Sequence, residues 1–202
     1  MDSETNETNE TKKTGRGKGK AIWGWVQVIL IAVILSMALR YFVISPVTVF
    51  GDSMYPTLHD GEHLFINKVT GPDRFDIIVF PAPDEKDTEY IKRVIGLPGD
   101  TVEYKQDQLY INGKKYDEPY LDSEKKDLTN GYLTTLNDGA QGNPNFSLAT
   151  IPACGGATKV PKGKLFVLGD NRPISKDSRY IGFIDEDKVL GKVISFGKSL
   201  QK

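Results

Sequence analysis

Hydrophobic and polar positions divide the chain into three unequal stretches. Residues 1–20 carry no apolar side chain beyond Met1, which leaves too little to bury and predicts a disordered tail. From Ala21 to Leu39 the pattern turns apolar, broken only by Gly24, Gln27 and Ser36. Phe42-Val43-Ile44 extends it past Arg40 and Tyr41, and Pro46 ends it, because proline has no N–H for a helix. As a helix, 21–44 spans roughly 36 Å, enough to cross a bilayer. Trp23 and Trp25 at one end and Tyr41 and Phe42 at the other suit its two interfaces. Such an all-round apolar helix is too long for the core of a domain this small.

Beyond Pro46 the apolar runs are short and bounded by Gly, Pro, Asn or Asp, which predicts strands. They fall at Val47–Phe50, His63–Lys68, Phe75–Phe80, Thr88–Ile95, Thr101–Tyr104, Gln108–Ile111, Gly163–Gly169 and Gly191–Phe196. Pro98-Gly99 is a type II turn pair, and Asn112-Gly113 is a hairpin turn because both positions tolerate positive φ. Between Asp122 and Thr158 the turn residues crowd together. The reading is an all-β fold with an antiparallel sheet formed by 45–104 and 162–202. A loop-rich β cap is inserted over 105–161, and one N-terminal transmembrane helix precedes the whole.

Charge orients the helix. Lys12, Lys13, Arg16, Lys18 and Lys20 precede it and only Arg40 follows closely, which puts the tail in the cytoplasm and the β domain outside. Ser36-Met37-Ala38 has the small-x-small pattern of a cleaved secretory signal. The length of the apolar run and its tryptophans favour a retained anchor instead. A net charge of −1 and a pI near 6.2 give no reason to expect a nucleic-acid partner. The single cysteine, Cys154, excludes an internal disulfide, and no cofactor is implied. His59 and His63 stand four apart across Asp60-Gly61, a turn rather than a helix, so a metal site is not expected. Nothing implies an oligomer.

The candidate chemistry centres on Gly51-Asp52-Ser53-Met54-Tyr55-Pro56, where a serine sits among turn-forming residues. A serine hydroxyl is a weak nucleophile until a base takes its proton. His59 with Asp60 is the one obvious set of partners for a Ser-His-Asp site, and no histidine follows His63. A nucleophile elbow, G-x-S-x-G, fails because Tyr55 replaces the second glycine. Lys92 is the better base. On a strand it shares a face with Tyr90 and Val94, and loss of water there disfavours the ammonium. Lowering its pKa by about 2 would cost about 2.7 kcal/mol and leave free amine near pH 8. Two other readings stay open: an anchored, non-catalytic β domain that binds extended peptides, and another kind of Ser/Lys protease.

Gly51–Leu58, Tyr90–Asp100 and Leu168–Gly182 together resemble the type I signal peptidases, in their short Gram-positive form with one N-terminal anchor. That resemblance implies a membrane-bound serine endopeptidase whose partners are a preprotein's signal-peptide region and lipid. It would cut after small-x-small sites. Ser53 would be the nucleophile and Lys92 the general base, with Ser175 orienting the amine. Asp177 and Arg179 would form a structural ion pair that Arg93 joins. The Ser53 N–H would be one oxyanion donor, with Gly51 standing where some members have a second, and Asp170 and Asn171 would shape a turn. Val49, Phe50, Met54, Leu58, Tyr90 and Ile91 match the positions that line the shallow substrate pockets.

Overall fold

The computed structural model describes residues 16–136 and 142–194, and of 16–21 and 39–42 the backbone alone. The chain divides into two compact units between Tyr41 and Phe42. The first is a single helix, α1, Arg16–Phe42. It begins ahead of the expected Ala21, at Arg16, and so takes in Gly17 and Gly19. The remaining part of the expected disordered tail, 1–15, lies outside the described residues. From Ile22 to Met37 the large apolar side chains of α1 are all exposed. Among the described residues no helix is long and apolar enough to cross a membrane. The expected span, 21–44, runs past the described side chains at its N-terminal end and over 39–42.

The regular structure of the second unit is predominantly strand. In chain order the strands are β1 (Ile44–Thr48), β2 (His63–Asn67), β3 (Ile77–Pro81), β4 (Glu89–Gly96), β5 (Val102–Lys105) and β6 (Gln108–Ile111). They continue as β7 (Lys114–Tyr116), β8 (Asn145–Ser147), β9 (Lys164–Leu168), β10 (Ile184–Asp185) and β11 (Gly191–Ile194). Seven form one sheet in the order β1-β2-β11-β3-β4-β9-β10, and four form a second in the order β7-β6-β5-β8. Every pairing is antiparallel. Ile44 opens β1 instead of closing the helix. Pro46 fits inside β1 because this is an edge strand, paired on one side only, where a missing N–H breaks no ladder. Asn112 (φ 53°) and Gly113 (φ 75°) turn β6 into β7, both left-handed as their chemistry allows.

Val102–Tyr104, expected to belong to the main sheet, pairs instead with β6 and β8, so the smaller sheet begins ahead of residue 105. The two sheets share a core in which Ile95, Phe166 and Leu168 of the larger meet Val102, Tyr104 and Leu109 of the smaller. A second cluster packs Val49, Met54 and Leu58 against Ile77, Val79 and Ile91. A third joins Ile78, Phe80, Val94, Leu165 and Val167. The register shifts between Val94 and Gly96, where β4 bends toward the smaller sheet. A Cβ at Gly96 would come within 2.9 Å of both Val102 Cγ2 and Val160 Cγ2 and 3.2 Å of Phe166 Cβ. The joint between the sheets closes only over a hydrogen atom. Gly96→Ala is therefore expected to lower stability by about 1–3 kcal/mol with the fold retained, measured by denaturant titration.

Candidate active site

Ser53 lies in the turn between β1 and β2, on a segment pinned from both sides. Met54 and Leu58 bury their side chains below it, and Leu58 N–H donates to Met54 O at 2.9 Å. From the other side Asn171 holds the backbone: its N–H donates to Ser53 O at 3.1 Å and its Nδ2 to Asp52 O at 3.0 Å. Gly169 makes that approach possible. A Cβ there would sit 2.5 Å from Ser53 O and 2.1 Å from Ser175 Oγ, distances no real side chain tolerates.

Lys92 comes from the middle of β4, where its cross-strand partner is Ile78. Its side chain is 3% exposed, and its Nζ stands 2.8 Å from Ser53 Oγ and 3.0 Å from Ile91 O. The Tyr90 ring lies 5.0 Å from the nitrogen on the same face. Burial strips water from the amine and lowers its pKa from 10.5 to about 8, while the charges of Asp177 and Asp170 pull it back up. The separation suits transfer of one proton between hydroxyl and neutral amine.

The balance of charge explains why those carboxylates do not keep the lysine protonated. Asp170 accepts Arg93 Nε at 2.9 Å and Arg93 Nη2 at 2.5 Å, and Thr57 Oγ1 donates to it at 2.5 Å. Asp177 accepts Arg179 Nε at 2.9 Å and Arg179 Nη2 at 2.8 Å, and it also takes the Gly169 N–H at 3.1 Å. Two further buried carboxylates, Asp100 and Glu118, pair with Arg74 and Arg172. Among the described residues, each buried carboxylate thus faces a guanidinium, and Lys92 is the buried cation with no carboxylate in contact.

The expected ion pair of Asp177 and Arg179 is present, but Arg93 does not join it. Arg93 takes Asp170, a residue expected only to shape a turn, because the sequence does not reveal that position 170 folds back over β4. Ser175 is buried, yet among the described residues its Oγ makes no hydrogen bond, so no bond to the Lys92 amine is seen. Gly51 does not offer its N–H to an oxyanion: with φ 77° it turns that donor onto Asp60 Oδ1 at 2.7 Å. Among the described residues the Ser53 N–H makes no hydrogen bond and remains available. Gly169 is the positioning residue that the sequence reading missed, while Asn171, expected to shape a turn, also holds the Ser53 backbone; a glycine followed by Asp-Asn after a buried strand was the signal.

A cleft of about 910 Å³ opens beside the serine, lined among others by Val49, Phe50, Met54, Tyr90 and Ile91. β1 and β4 both border it although β2, β11 and β3 separate them in the sheet, so the sheet must curl to bring them face to face. Leu58 does not border it; at 0% exposure it belongs to the core beneath. Phe50, at 84%, stands at the rim. Neither histidine approaches the serine by any described hydrogen bond. His59 packs edge-on against Tyr55 at 5.4 Å, and His63 Nδ1 meets Thr48 Oγ1 at 3.0 Å. Among the described residues no group of three or more His, Cys, Asp or Glu side chains could hold a metal.

The family described as signal peptidase, peptidase S26, matches residues 22–196. Signal peptidase IB of Staphylococcus aureus (strain COL) is 43% identical over 181 residues, covering 86% of this chain and 88% of that one. Signal peptidase I of Bacillus amyloliquefaciens is 43% identical over 196 residues, covering 95% and 92%. The crystal structure of a signal peptidase I from Enterococcus faecalis V583 superposes with a TM-score of 0.55 at 45% identity, covering 63% of this chain and 99% of that one.

Two outcomes follow from the geometry. Gly169→Ala is expected to lower peptide cleavage at least about 100-fold while the protein stays folded by circular dichroism, since about 1 Å of displacement at Ser53 removes the alignment. Lys92→Met is expected to stabilise the fold. The native amine titrates near 8 and the unfolded one near 10.5, so wild type carries the full cost below pH 8 and loses it progressively up to 10.5. That gap corresponds to about 3 kcal/mol. Chemical denaturation should find the variant more stable by up to that amount at pH 7, with the gain fading toward pH 10.5.

Proposed function

The chain belongs to the signal peptidase family, peptidase S26, and is a serine endopeptidase; from that premise we propose that Ser53 is its nucleophile and Lys92 its general base. The observation that carries this is the 2.8 Å contact between Ser53 Oγ and a buried Lys92 Nζ that has no carboxylate against it. The neutral amine takes the hydroxyl proton as Oγ attacks the scissile carbonyl carbon, and the oxyanion forms within reach of the Ser53 N–H. Collapse breaks the C–N bond, and the Lys92 ammonium gives its proton to the leaving amine. Water, deprotonated by the same amine, then attacks the acyl carbon, and as the C–O bond to Ser53 breaks the ammonium returns that proton to Oγ.

The substrate is the signal-peptide region of an exported preprotein, laid extended in the cleft between β1 and β4. An extended strand suits that place because β1 has a free edge. Val49, Met54 and Ile91 line the cleft and give the small side chains of a small-x-small site apolar walls to lie against. The apolar face of α1, exposed on all sides, acts as the membrane anchor, with the basic residues before it on the cytoplasmic side and the β domain outside. An anchored enzyme meets a signal peptide at the surface where the peptide itself is held.

Ser53→Ala and Lys92→Ala test the dyad on a synthetic peptide carrying an Ala-x-Ala site. Both are expected to lose at least about 10³-fold in kcat/KM while keeping the wild-type circular dichroism, and His59→Ala to retain most activity. For wild type, kcat/KM should climb about tenfold per pH unit and level off above about 8, where the amine is neutral. Processing at near wild-type rate by a folded Lys92→Ala protein overturns the assignment.

A further inference from the structure

The smaller sheet contributes a group that no part of the reaction above uses. Glu118 stands just before the 3-10 turn Pro119–Leu121 and is buried. Its Oε1 accepts from Arg172 Nη2 at 2.5 Å, Tyr120 OH at 2.7 Å and Tyr104 OH at 2.9 Å. Three donors converge on one oxygen, and burying such a carboxylate is tolerable only because one of them is a guanidinium.

What Arg172 then holds is the loop under the nucleophile. Its Nε donates to Gly169 O at 3.0 Å, its own N–H to Asp170 O at 2.9 Å, and its carbonyl accepts Arg179 Nη2 at 2.7 Å. Gly169 is the residue whose lack of a side chain lets Ser53 O come close, and Arg179 is the partner of Asp177. The same turn reaches the other ion pair. The Tyr120 ring lies 3.9 Å from the Arg93 guanidinium, stacked on the side chain that neutralises Asp170. The turn Glu118–Leu121 therefore contacts Arg93 directly and reaches Arg179 through Arg172, and these two arginines offset the two carboxylates nearest Lys92.

We infer that Glu118 is a positioning residue for the Ser53–Lys92 pair, acting through Arg172 on the loop 169–172 and through Tyr120 on Arg93. This rests on the dyad assignment. Glu118 touches neither the substrate cleft nor the reacting atoms, so its effect falls on the alignment and electrostatics of the pair. Lys92 is faced by Asp177 and Asp170, each with its guanidinium, and by Tyr90. Glu118 is faced by Arg172, Tyr104, Tyr120 and, farther off, Lys125. Removing its charge leaves the Arg172 cation unbalanced in that network and makes the Lys92 ammonium harder to form. Removing the Arg172 charge leaves the Glu118 anion unbalanced and makes the ammonium easier to form.

Glu118→Gln, nearly the same shape, provides the test in the full-length protein, with pH–rate profiles on the Ala-x-Ala peptide. Its kcat is expected to fall about tenfold or more with KM within about twofold, since alignment suffers and the cleft does not. The acid limb of kcat/KM should move to lower pH by about half a unit or more. In Arg172→Met the limb should move to higher pH, and the double variant should bring it back toward wild type. Opposite shifts in two variants that both weaken the same contact do not arise from simple loss of stability. A limb that stays in place or rises in Glu118→Gln, with activity following the folded fraction, overturns the inference. Should Arg172→Met fail to fold, Glu118→Gln decides alone. Ser53→Ala measured alongside keeps the premise separate: activity there would sink the dyad itself, whatever Glu118 does.

Discussion

A primary amine taken out of water, with every nearby carboxylate already spoken for by an arginine, is the condition on which the structure turns. Lys92 would be protonated and useless as a base if Asp170 or Asp177 were free, because either anion would hold the ammonium in place. Arg93 and Arg179 neutralise them through paired contacts that a planar guanidinium makes well and a lysine could not. The arrangement costs stability, since a buried, unpaired amine resists folding below its own pKa. Much of the buried polar architecture makes sense as the means of keeping that single group uncompensated while everything around it is satisfied.

A second constraint is steric. Ser53 is placed by backbone contacts from the segment after β9, and that segment can come close enough only because position 169 has no side chain. The proposed nucleophile thus depends on two turns that are distant in the chain, one after β1 and one after β9. The lysine arrives from β4, the strand between β3 and β9, and its position follows from sheet register. Since a one-residue slip would send Lys92 to the opposite face, the ladder of β3, β4 and β9 is as much a part of the site as the side chains are.

Local chemistry was legible wherever local chemistry decides. The strands at His63–Asn67 and Glu89–Gly96, the Asn112-Gly113 hairpin and the helical character of the apolar run all follow from patterns a few residues long. The Ser53–Lys92 contact was legible too, though as a chemical argument about which base could serve a serine here, supported by resemblance. Asp170 was misjudged for the opposite reason. An Asp-Asn pair after a strand reads as a turn, and it is one; its carboxylate also meets an arginine 77 positions away, which no window of the sequence contains. Leu58 was placed in the cleft by the family resemblance, whereas the turn in which its N–H bonds Met54 O carries its side chain into the core.

The order of apolar and polar residues determined, unaided, that the chain has an apolar helical segment followed by a β domain, and it supplied a serine and a lysine suited to act together. It could do so because period, turn chemistry and the desolvation of an amine are short-range matters. That Arg93 takes Asp170, where Gly169 lets one backbone press on another, and that Glu118 meets Arg172 from the segment after β7 were decided only by tertiary structure. The Glu118–Arg172, Arg93–Asp170 and Gly169–Ser53 contacts join residues 54, 77 and 116 positions apart, and their geometry exists only after the segments that carry them have come together.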